Sequence, residues 1–353
     1  MPEYNVSEDT REVDLIVSID EDRPMKVRRL LVTGNEKTRD KVVRREVRVN
    51  ETDLVNTKLL RRSFQRINNL NFFESIEITP ARVGTDEVDL SIRVKEKSTG
   101  ALSIGGGYSS VDRLVALAEI TQGNLFGRGQ LIRARAEMGG RRNTYSFTFR
   151  EPYLFDKPVS GTISAFNQVR DFNSYQERRV GGNLILGKSF SEYFSGSLSY
   201  TLESLNIFDI DPVDAPSLII EQGGETVTSS LGNTLAYDSR DFIFDPSTGT
   251  HVVASVEYAG TFLRGDNNFV KGVLDISRFF PLPLGTVFSA HGKVGLATGI
   301  QGTALPVGER FFVGGINSVR GFDFGEAGPI DEETGEIIGG TKELIFNLEF
   351  LFP

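Results

Sequence analysis

The sequence contains no cysteine and no tryptophan, and only two of its 353 residues are histidine. Without cysteine the chain can form neither a disulfide bond nor a thiolate metal site, which fits the periplasm without demonstrating it. The first residues, MPEYNVSEDT, lack the basic region and apolar core of a signal peptide. If the protein is exported, its signal has been removed, and Met1 need not be the natural start.

The chain also lacks any run approaching about 18 apolar residues, which excludes a transmembrane helix. A β-barrel is not excluded, because its alternating strands hardly raise mean hydropathy. The formal net charge is −9. Before Ser98 there are about nineteen charges of each sign, so the acidic excess lies in the second part of the chain. This distribution argues against nucleic acid as the partner of that part.

No pattern for enzymatic or metal chemistry is present. Neither G-x-S-x-G nor H-E-x-x-H occurs, so we predict no catalytic residue and no cofactor. Asp209, Asp211 and Asp214 do not follow the spacing of a calcium loop, and prolines interrupt them. They are interpreted as a polar loop, and no metal site is predicted.

The first hundred residues contain an internal repeat, in which Glu12–Leu15 recurs as Glu87–Leu90. One complete unit, residues 23–98, lies around the second copy, and residues 1–22 are interpreted as the C-terminal remnant of a preceding unit. Its apolar periodicity predicts the order β-α-α-β-β. The elements are a strand over Val27–Val32, helices over Thr38–Arg48 and Thr57–Asn68, and strands over Glu74–Thr79 and Glu87–Val94. Asn56 or Thr57 is the expected cap of the second helix, which should bury Leu59, Leu60, Phe64 and Ile67.

From residue 99 to residue 353 the apolar period is two. Tyr145, Phe147 and Phe149, for example, alternate with polar residues. One face is almost purely apolar over strand after strand of about ten residues, while the other includes Arg, Lys and Glu, which is typical of a membrane barrel around a wet lumen. We predict about twelve antiparallel strands. Short turns alternate with longer loops, among them Asn206–Glu225.

The long Gly-rich segment from Thr298 to Lys342 shows neither the apolar period of a helix nor that of a strand. It contains the stretch Gly314–Phe324, GGINSVRGFDF, which is too apolar for a disordered linker. Arg320 lies within it and keeps its charge, so burial would require a carboxylate partner. We expect a loop folded into an enclosure and anchored by Arg320; the alternative is a surface loop with a snorkelling arginine.

These features together resemble the BamA/TamA superfamily of outer-membrane assembly factors. The β-α-α-β-β unit is similar to the POTRA domain of that family, and Val319–Phe322 is similar to its VRGF loop. Further matches lie in order along nearly the whole chain: residues 124–129 (NLFGRG), residues 151–154 (EPYL), residues 237–241 (YDSRD) with Asp245, Pro246 and Gly249, and residues 348–350 (LEF).

The resemblance implies that the VRGF loop enters the lumen, where Arg320 pairs with Glu349. The loop anchor would then comprise Val319, Arg320, Gly321, Phe322 and Glu349. The strand alternation independently places Glu349 on the polar face. Relatives have sixteen strands, so about four strands and an Asp partner of Arg320 are expected to lie beyond the twelfth strand; Glu349 as a merely solubilising residue stays an alternative.

The resemblance also implies two strand edges at which other chains could add. In the family the first barrel strand forms a lateral seam, here Gly105, Gly106 and Gly107, although three glycines could equally mark a tight bend. Ser75, Ile76, Glu77 and Ile78 are expected at the border of the POTRA sheet. That edge could bind clients, partner lipoproteins or nothing.

The expected function is therefore assembly and insertion of outer-membrane proteins, with the POTRA domain in the periplasm of a Gram-negative cell. Expected partners are outer-membrane lipids, unfolded β-barrel clients, accessory lipoproteins and periplasmic chaperones. Within the superfamily, the alternative is a dedicated two-partner secretion transporter or a TamA-like translocation factor. A plain porin would not explain the β-α-α-β-β repeat.

Overall fold

The structure is a computed structural model. It describes residues 3–7, 12–16, 24–109, 113–242, 245–315, 318–323 and 325–352. The chain divides into two compact units: unit 1 comprises Met1–Ser98 with Phe126–Arg128, and unit 2 comprises Thr99–Leu125 with Gly129–Pro353. Each helix in the described ranges is too short or too polar to cross a membrane.

Unit 1 begins with two short strands, β1 (Glu3–Ser7) and β2 (Glu12–Ile16), which pair antiparallel. Part of the predicted remnant over residues 1–22 lies outside the described residues. β3 (Lys26–Thr33), α1 (Asp40–Arg44), α2 (Thr57–Asn69), β4 (Phe73–Arg82) and β5 (Glu87–Glu96) follow. They form a second sheet in the order β3-β5-β4, with β3 parallel to β5 and β4 antiparallel to it. The predicted β-α-α-β-β fold is confirmed.

Helix α1 is shorter than the predicted Thr38–Arg48. Before it, the carboxylate of Glu96 on β5 accepts hydrogen bonds from the backbone N–H groups of Lys37 (2.8 Å) and Thr38 (2.6 Å), which holds them outside the helix. After it, the Arg48 N–H donates to the Ser63 hydroxyl at 2.8 Å. These side-chain partners compete with helical hydrogen bonds at both ends.

Helix α2 begins where the sequence predicts, because the Asn56 side chain accepts from the N–H groups of Lys58 (2.9 Å) and Leu59 (3.3 Å). Its predicted buried stripe is wrong at two positions, since Leu59 and Phe64 are 38% and 41% exposed. Ile67 is fully buried as predicted, and Ser63, which was not predicted, is buried beside it. Ser63 is tolerated in the core because its hydroxyl also donates to the Leu59 carbonyl at 2.8 Å.

The core of unit 1 lies between the two helices and one face of the sheet. The alternating apolar residues of β5 form its centre and pack against the valines of α1 and the buried face of α2. Its buried apolar residues are Val27, Leu30, Val42, Val43, Val47, Val49, Ile67, Phe72, Phe73, Val88, Leu90, Ile92 and Val94.

Unit 2 is one antiparallel sheet of twelve strands, each paired with its neighbours in the chain. This confirms the predicted strand number and fold class. The strands are β6 (Gly100–Ser109), β7 (Arg113–Leu125), β8 (Gln130–Gly139), β9 (Arg142–Glu151), β10 (Val159–Asp171), β11 (Gln176–Ser189), β12 (Phe194–Phe208), β13 (Gly224–Asp238), β14 (Gly249–Ala259), β15 (Phe269–Pro281), β16 (Val287–Gly299) and β17 (Lys342–Leu351). β6 and β17 form the two edges, so the sheet is not closed into a barrel.

The strand register places apolar side chains together on one face. On β17, Leu344, Phe346, Leu348 and Phe350 are 79%, 68%, 55% and 62% exposed. The intervening Glu349 pairs in register with Ser289 on the other face. A large exposed apolar face opposite a charged one is expected when the surrounding solvent is lipid.

The loops lie at alternate ends of this sheet. The β12–β13 loop covers residues 209–223 and contains the short helix α3 (Ser217–Glu221), so the predicted loop Asn206–Glu225 is too long. The residues at both ends of the predicted loop instead belong to β12 and β13, whose ladder extends to the pair Asn206 and Glu225. The β16–β17 loop covers residues 300–341, in close agreement with the predicted irregular segment.

Candidate functional site: the β16–β17 loop and the sheet edges

The β16–β17 loop is closed at its base by backbone hydrogen bonds. Phe311 and Gly340 each donate to the carbonyl of the other at 2.8 Å. The Phe311 ring is buried against Gly295 of β16, where an added Cβ would lie 2.7 Å from the ring. The Lys271 ammonium lies 5.3 Å from the centre of that ring and pairs with Glu309 at 3.0 Å. The loop base is thus fixed on the polar face of the sheet.

A second contact fixes the loop base to the β12–β13 loop. The Gln222 side chain accepts from the Val307 N–H at 2.9 Å and donates to the Leu305 carbonyl at 3.3 Å. Beside it, Val307 is fully buried in an apolar cluster that also contains Tyr175 of the β10–β11 loop and Ile219 of α3. Three loops therefore share one small core. Gln222 was not predicted from the sequence, because a single amide in a Gly-flanked loop carries no signal that would identify it.

The tip of the loop contains Val319, Arg320, Gly321 and Phe322. Its backbone folds back tightly, since an added Cβ at Gly314 would lie 2.1 Å from the Asp323 carbonyl oxygen. The Gly314 N–H donates to the Ser318 hydroxyl at 2.9 Å, and Gly321 has a φ of 90°, which favours glycine. Ile316 and Phe324, which belong to the predicted apolar stretch, lie outside the described residues.

Arg320 donates through Nη2 to Oε1 of Glu349 on β17. Near this pair, the Asn347 amide donates to the Ser318 carbonyl at 3.1 Å. The expected burial of Arg320 is not observed: its side chain is 67% exposed, and that of Glu349 is 31% exposed. Glu349 lies on β17, which is an edge strand of the sheet.

A cavity of about 710 Å³ lies beside the loop. Residues from β10, the β10–β11 loop, β11 and the β16–β17 loop line it, including Arg170, Tyr175, Arg179, Phe312 and Glu336. Burial raises the pKa of the Tyr175 hydroxyl. Burial also raises the pKa of the Glu336 carboxyl, and the negative charge of nearby Asp214 raises it further. The cavity lining therefore carries both signs of charge, and its Glu336 carboxyl takes up a proton more readily than an exposed glutamate.

The predicted seam glycines lie on the edge strand β6. An added Cβ would meet no atom within 4 Å at Gly105 or Gly107, and would meet only the Val115 carbonyl oxygen at 3.6 Å at Gly106. None of the three has a positive φ. Neither a tight bend nor close packing therefore requires glycine at these positions.

The predicted POTRA edge residues Ser75, Ile76, Glu77 and Ile78 lie on β4, which is an edge strand of its sheet. Ile76 and Ile78 pack against the core, while Glu77 points away and lies 3.9 Å from Arg93. The edge thus alternates core-facing and solvent-facing side chains, and no other strand among the described residues pairs with the outer side of its backbone.

Two of the matched motifs have local structural roles. The Asn124 side chain accepts from the Gly129 N–H at 2.9 Å, and Glu151 accepts from the Gln130 amide at 2.6 Å and the Tyr153 N–H at 3.0 Å. Both side chains therefore stabilise turns.

The YDSRD motif forms the β13–β14 turn. The Asp241 carboxylate accepts from the N–H groups of Ser247 (2.9 Å) and Thr248 (3.1 Å) and from the Ser247 hydroxyl. These bonds lower the pKa of Asp241 to about 2, the Ser247 hydroxyl contributing most. Gly249 has a φ of 113°, and an added Cβ would lie 2.4 Å from the Ser239 carbonyl oxygen, so glycine is required there.

Among the described residues, no group of three or more His, Asp or Glu side chains is arranged to hold a metal ion. His291 lies 3.1 Å from Asp275 on the polar face.

Comparison with known proteins agrees with this architecture. The model of the Omp85 superfamily domain matches residues 124–353, and the model of POTRA, described as a surface antigen variable number repeat, matches residues 25–97. The chain belongs to the Omp85 superfamily. The predicted family resemblance is thereby confirmed.

Individual relatives of this Omp85 chain have assembly-factor names. It is 32% identical to "outer membrane protein assembly factor BamA" of Nitratidesulfovibrio vulgaris, over 96% of this chain and 43% of the relative. It is 30% identical to the protein of the same name from Neisseria meningitidis, over 98% of this chain and 46% of the relative. The chain thus spans less than half the length of these relatives.

The Omp85 fold is also found in a solved structure. The crystal structure of BamA from Haemophilus ducreyi lacking POTRA domains 1–3 superposes with a TM-score of 0.71 at 23% identity, over 100% of this chain and 72% of that one. At this identity the likeness establishes the fold.

The first prediction concerns the exposed Arg320–Glu349 pair. A double-mutant cycle with Arg320→Gln and Glu349→Gln should give a coupling energy of at most about 1 kcal/mol, because water screens the pair. It is measured by urea unfolding of the micelle-bound protein. The matched control is the Lys271–Glu309 pair, whose side chains are only 23% and 19% exposed and should couple more strongly. A coupling energy for the Arg320–Glu349 pair above that of the Lys271–Glu309 pair would show that water does not screen the pair at the tip.

The second prediction concerns Gln222. Gln222→Met keeps the length of the side chain but removes both polar contacts, so hydrogen exchange at the Val307 N–H should accelerate about tenfold, the effect of a hydrogen bond of about 1.4 kcal/mol. Gln222→Glu retains an acceptor for Val307 but opposes the Leu305 carbonyl, so it should leave Val307 better protected than the methionine variant. Equal exchange at Val307 in all three proteins would show that the amide does not fix the loop.

The third prediction concerns pH. The pKa of Asp241 is lowered in the folded protein, so its contribution to stability is present above about pH 3.9, the ordinary pKa, and is lost as pH falls toward about 2. The carboxyl ¹³C resonance of Asp241 should therefore titrate near pH 2. Ser247→Ala should move the midpoint toward the ordinary value while the backbone contacts persist. A wild-type midpoint near 3.9 would show that the carboxylate does not hold this turn.

Proposed function

We propose that this chain is the membrane-proximal part of an outer-membrane protein assembly factor. Relatives named as assembly factors match nearly all of it, and its fold matches one of them. In this proposal residues 23–98 are a periplasmic POTRA domain, preceded by the remnant over residues 1–22. Residues 99–353 contribute twelve strands of an outer-membrane barrel.

The observation that carries the proposal is the character of β6. Three consecutive glycines lie on a sheet edge where an added side chain would have space and where φ is not positive. Glycine in a strand gives up side-chain packing and adds backbone freedom in the unpaired state, so the strand is weaker than its position requires. A weak edge strand suits a lateral seam that must pair reversibly with incoming strands.

Strand addition at this seam uses backbone hydrogen bonds, which are largely independent of client sequence. An insertion factor that serves many unfolded barrel proteins needs this tolerance. The β4 edge of unit 1, with Ser75, Ile76, Glu77 and Ile78, could receive client strands or an accessory lipoprotein or chaperone in the same way. Its alternating isoleucines are already committed to the core, so binding would rest on the backbone.

The β16–β17 loop supplies rigidity in this proposal. Its base is fixed by Gln222, Phe311 and the Lys271–Glu309 pair, and its tip is held more weakly by Arg320 and Glu349. Val319, Gly321 and Phe322 shape the tip around the arginine. The loop braces the polar face of β14–β17 while the opposite edge, β6, stays free to open. No step of this mechanism requires catalysis, a cofactor or nucleic acid.

The fourth prediction tests the seam. Gly105→Val and Gly107→Val place β-branched side chains where space is available, so β6 should pair more firmly with β7 and hydrogen exchange in β6 should slow. Insertion of an unfolded barrel client into vesicles that contain the protein should slow several-fold, measured by the heat-modifiable mobility of the client.

The matched control is Gly272→Val, on the interior strand β15, where an added Cβ meets no atom closer than 3.9 Å. It should leave insertion unchanged. If the seam variants fold, pair more firmly and still insert clients at the wild-type rate, opening at β6 is not the mechanism. A dedicated transporter, which needs no opening at β6, would then be the better interpretation.

A further inference from the structure

Two cations lie on the apolar face of the sheet, at the end where β11 joins β12 and β15 joins β16. Arg278 on β15 pairs in register with Thr250 and Ala290, in the row that continues with Ile276 and Phe280. Lys188 on β11 follows Leu184 and Leu186 at the same parity and is exposed. This face should meet lipid, so a charge on it needs a partner or a path to water.

Arg278 is the better defined of the two. Its guanidinium carbon lies 5.1 Å from the centre of the Phe280 ring. The Phe280 ring lies 6.0 Å from that of Phe288 on β16, which lies 5.1 Å from that of Phe350 on β17. The guanidinium thus sits at one end of a row of three rings that crosses three strands. Cation–π contact orients its remaining N–H groups away from the ring face.

Arg278 forms no ion pair with any side chain in the described ranges, in contrast to four arginines of the polar face: Arg133, Arg135, Arg142 and Arg179. It lies three residues before Pro281, the last residue of β15, hence roughly 10 Å along the strand from its end. An arginine at the midplane of a bilayer is costly, but near the interface the cost falls to about 1 kcal/mol or less. Its position and missing partner both indicate the headgroup boundary.

We infer that Arg278, seated on the Phe280 ring, binds the phosphate group of an anionic phospholipid, whose headgroup carries no compensating cation, at this end of the sheet. The guanidinium offers forked N–H donors that match phosphate oxygens. The exposed Leu274 and Ile276 continue the same row along β15 and would contact the acyl chain of the same lipid. A free phosphate ion would gain nothing from these apolar neighbours, so the lipid is the favoured occupant. This inference rests on the proposed membrane location.

The absence of tryptophan from the chain allows a direct test. Phe280→Trp introduces a single tryptophan, which can be excited selectively, beside Arg278 and preserves the cation–π contact. The protein is placed in phosphatidylcholine vesicles that contain a small fraction of lipid brominated on its acyl chains, either phosphatidylglycerol or phosphatidylcholine. Brominated phosphatidylglycerol should quench the fluorescence with an apparent affinity about fivefold higher than brominated phosphatidylcholine, as expected for one basic residue at an anionic surface.

Adding Arg278→Gln should abolish this preference, and Arg278→Lys should retain part of it. The matched control is Arg178→Gln, which removes an exposed outward-facing arginine at the other end of the sheet and should leave the preference intact. Equal quenching by the two lipids, or a preference that survives Arg278→Gln, would overturn the inference. Loss of the preference in millimolar inorganic phosphate at constant ionic strength would assign the site to free phosphate and overturn the lipid assignment.

The same measurement separates this inference from the proposed function. Quenching by both brominated lipids shows that β15 faces acyl chains, whatever the headgroup preference. If neither lipid quenches, the membrane location itself fails, and with it the proposed assembly role. If both quench equally, only the phosphate site is withdrawn.

Discussion

Backbone hydrogen bonding is the constraint on which unit 2 depends. In a bilayer every buried N–H and C=O group needs a protein partner, and a meander of twelve antiparallel strands provides one for each interior strand. Pairing adjacent strands in register then forces the period of two to sort side chains into an apolar and a polar face. The polar face becomes the only surface on which a long loop with charged residues can be seated without leaving ions in lipid.

The base and the tip of the β16–β17 loop are held by contacts of different strength. At the base, Val307 and Phe311 are almost fully buried, and the Gln222 amide satisfies two backbone groups that would otherwise lose solvent without compensation. At the tip, the Arg320 side chain is two-thirds exposed, and water competes for its donors. The base is therefore the firmly held part of the segment. The tip is held by a contact that can form and break at little cost.

The sequence predicted the fold because two periodicities are unambiguous. The period of two over residues 99–353 requires strands, and the repeat of Glu12–Leu15 at Glu87–Leu90 marks the POTRA unit. The predicted bounds of α1 and the predicted buried face of α2 were wrong where a side chain forms hydrogen bonds with backbone groups. Glu96 shortened α1 from a strand more than fifty residues away, and Ser63 replaced Phe64 in the core because Arg48 and Leu59 satisfied its hydroxyl. The Arg320–Glu349 pair came from the family resemblance and strand parity together, while its exposure depends on the neighbours of β17.

The glycines of unit 2 separate folding requirements from functional ones. Gly249 and Gly314 have positive φ and lie so close to other backbone atoms that a side chain would collide, so the fold alone explains them. Gly105 and Gly107 satisfy neither condition. A β-branched residue there would have room and would favour the extended conformation, so glycine at these positions lowers strand stability without a steric reason. Lower stability at an edge strand is what the proposed seam requires, because a strand that exchanges partners must be able to release the one it has.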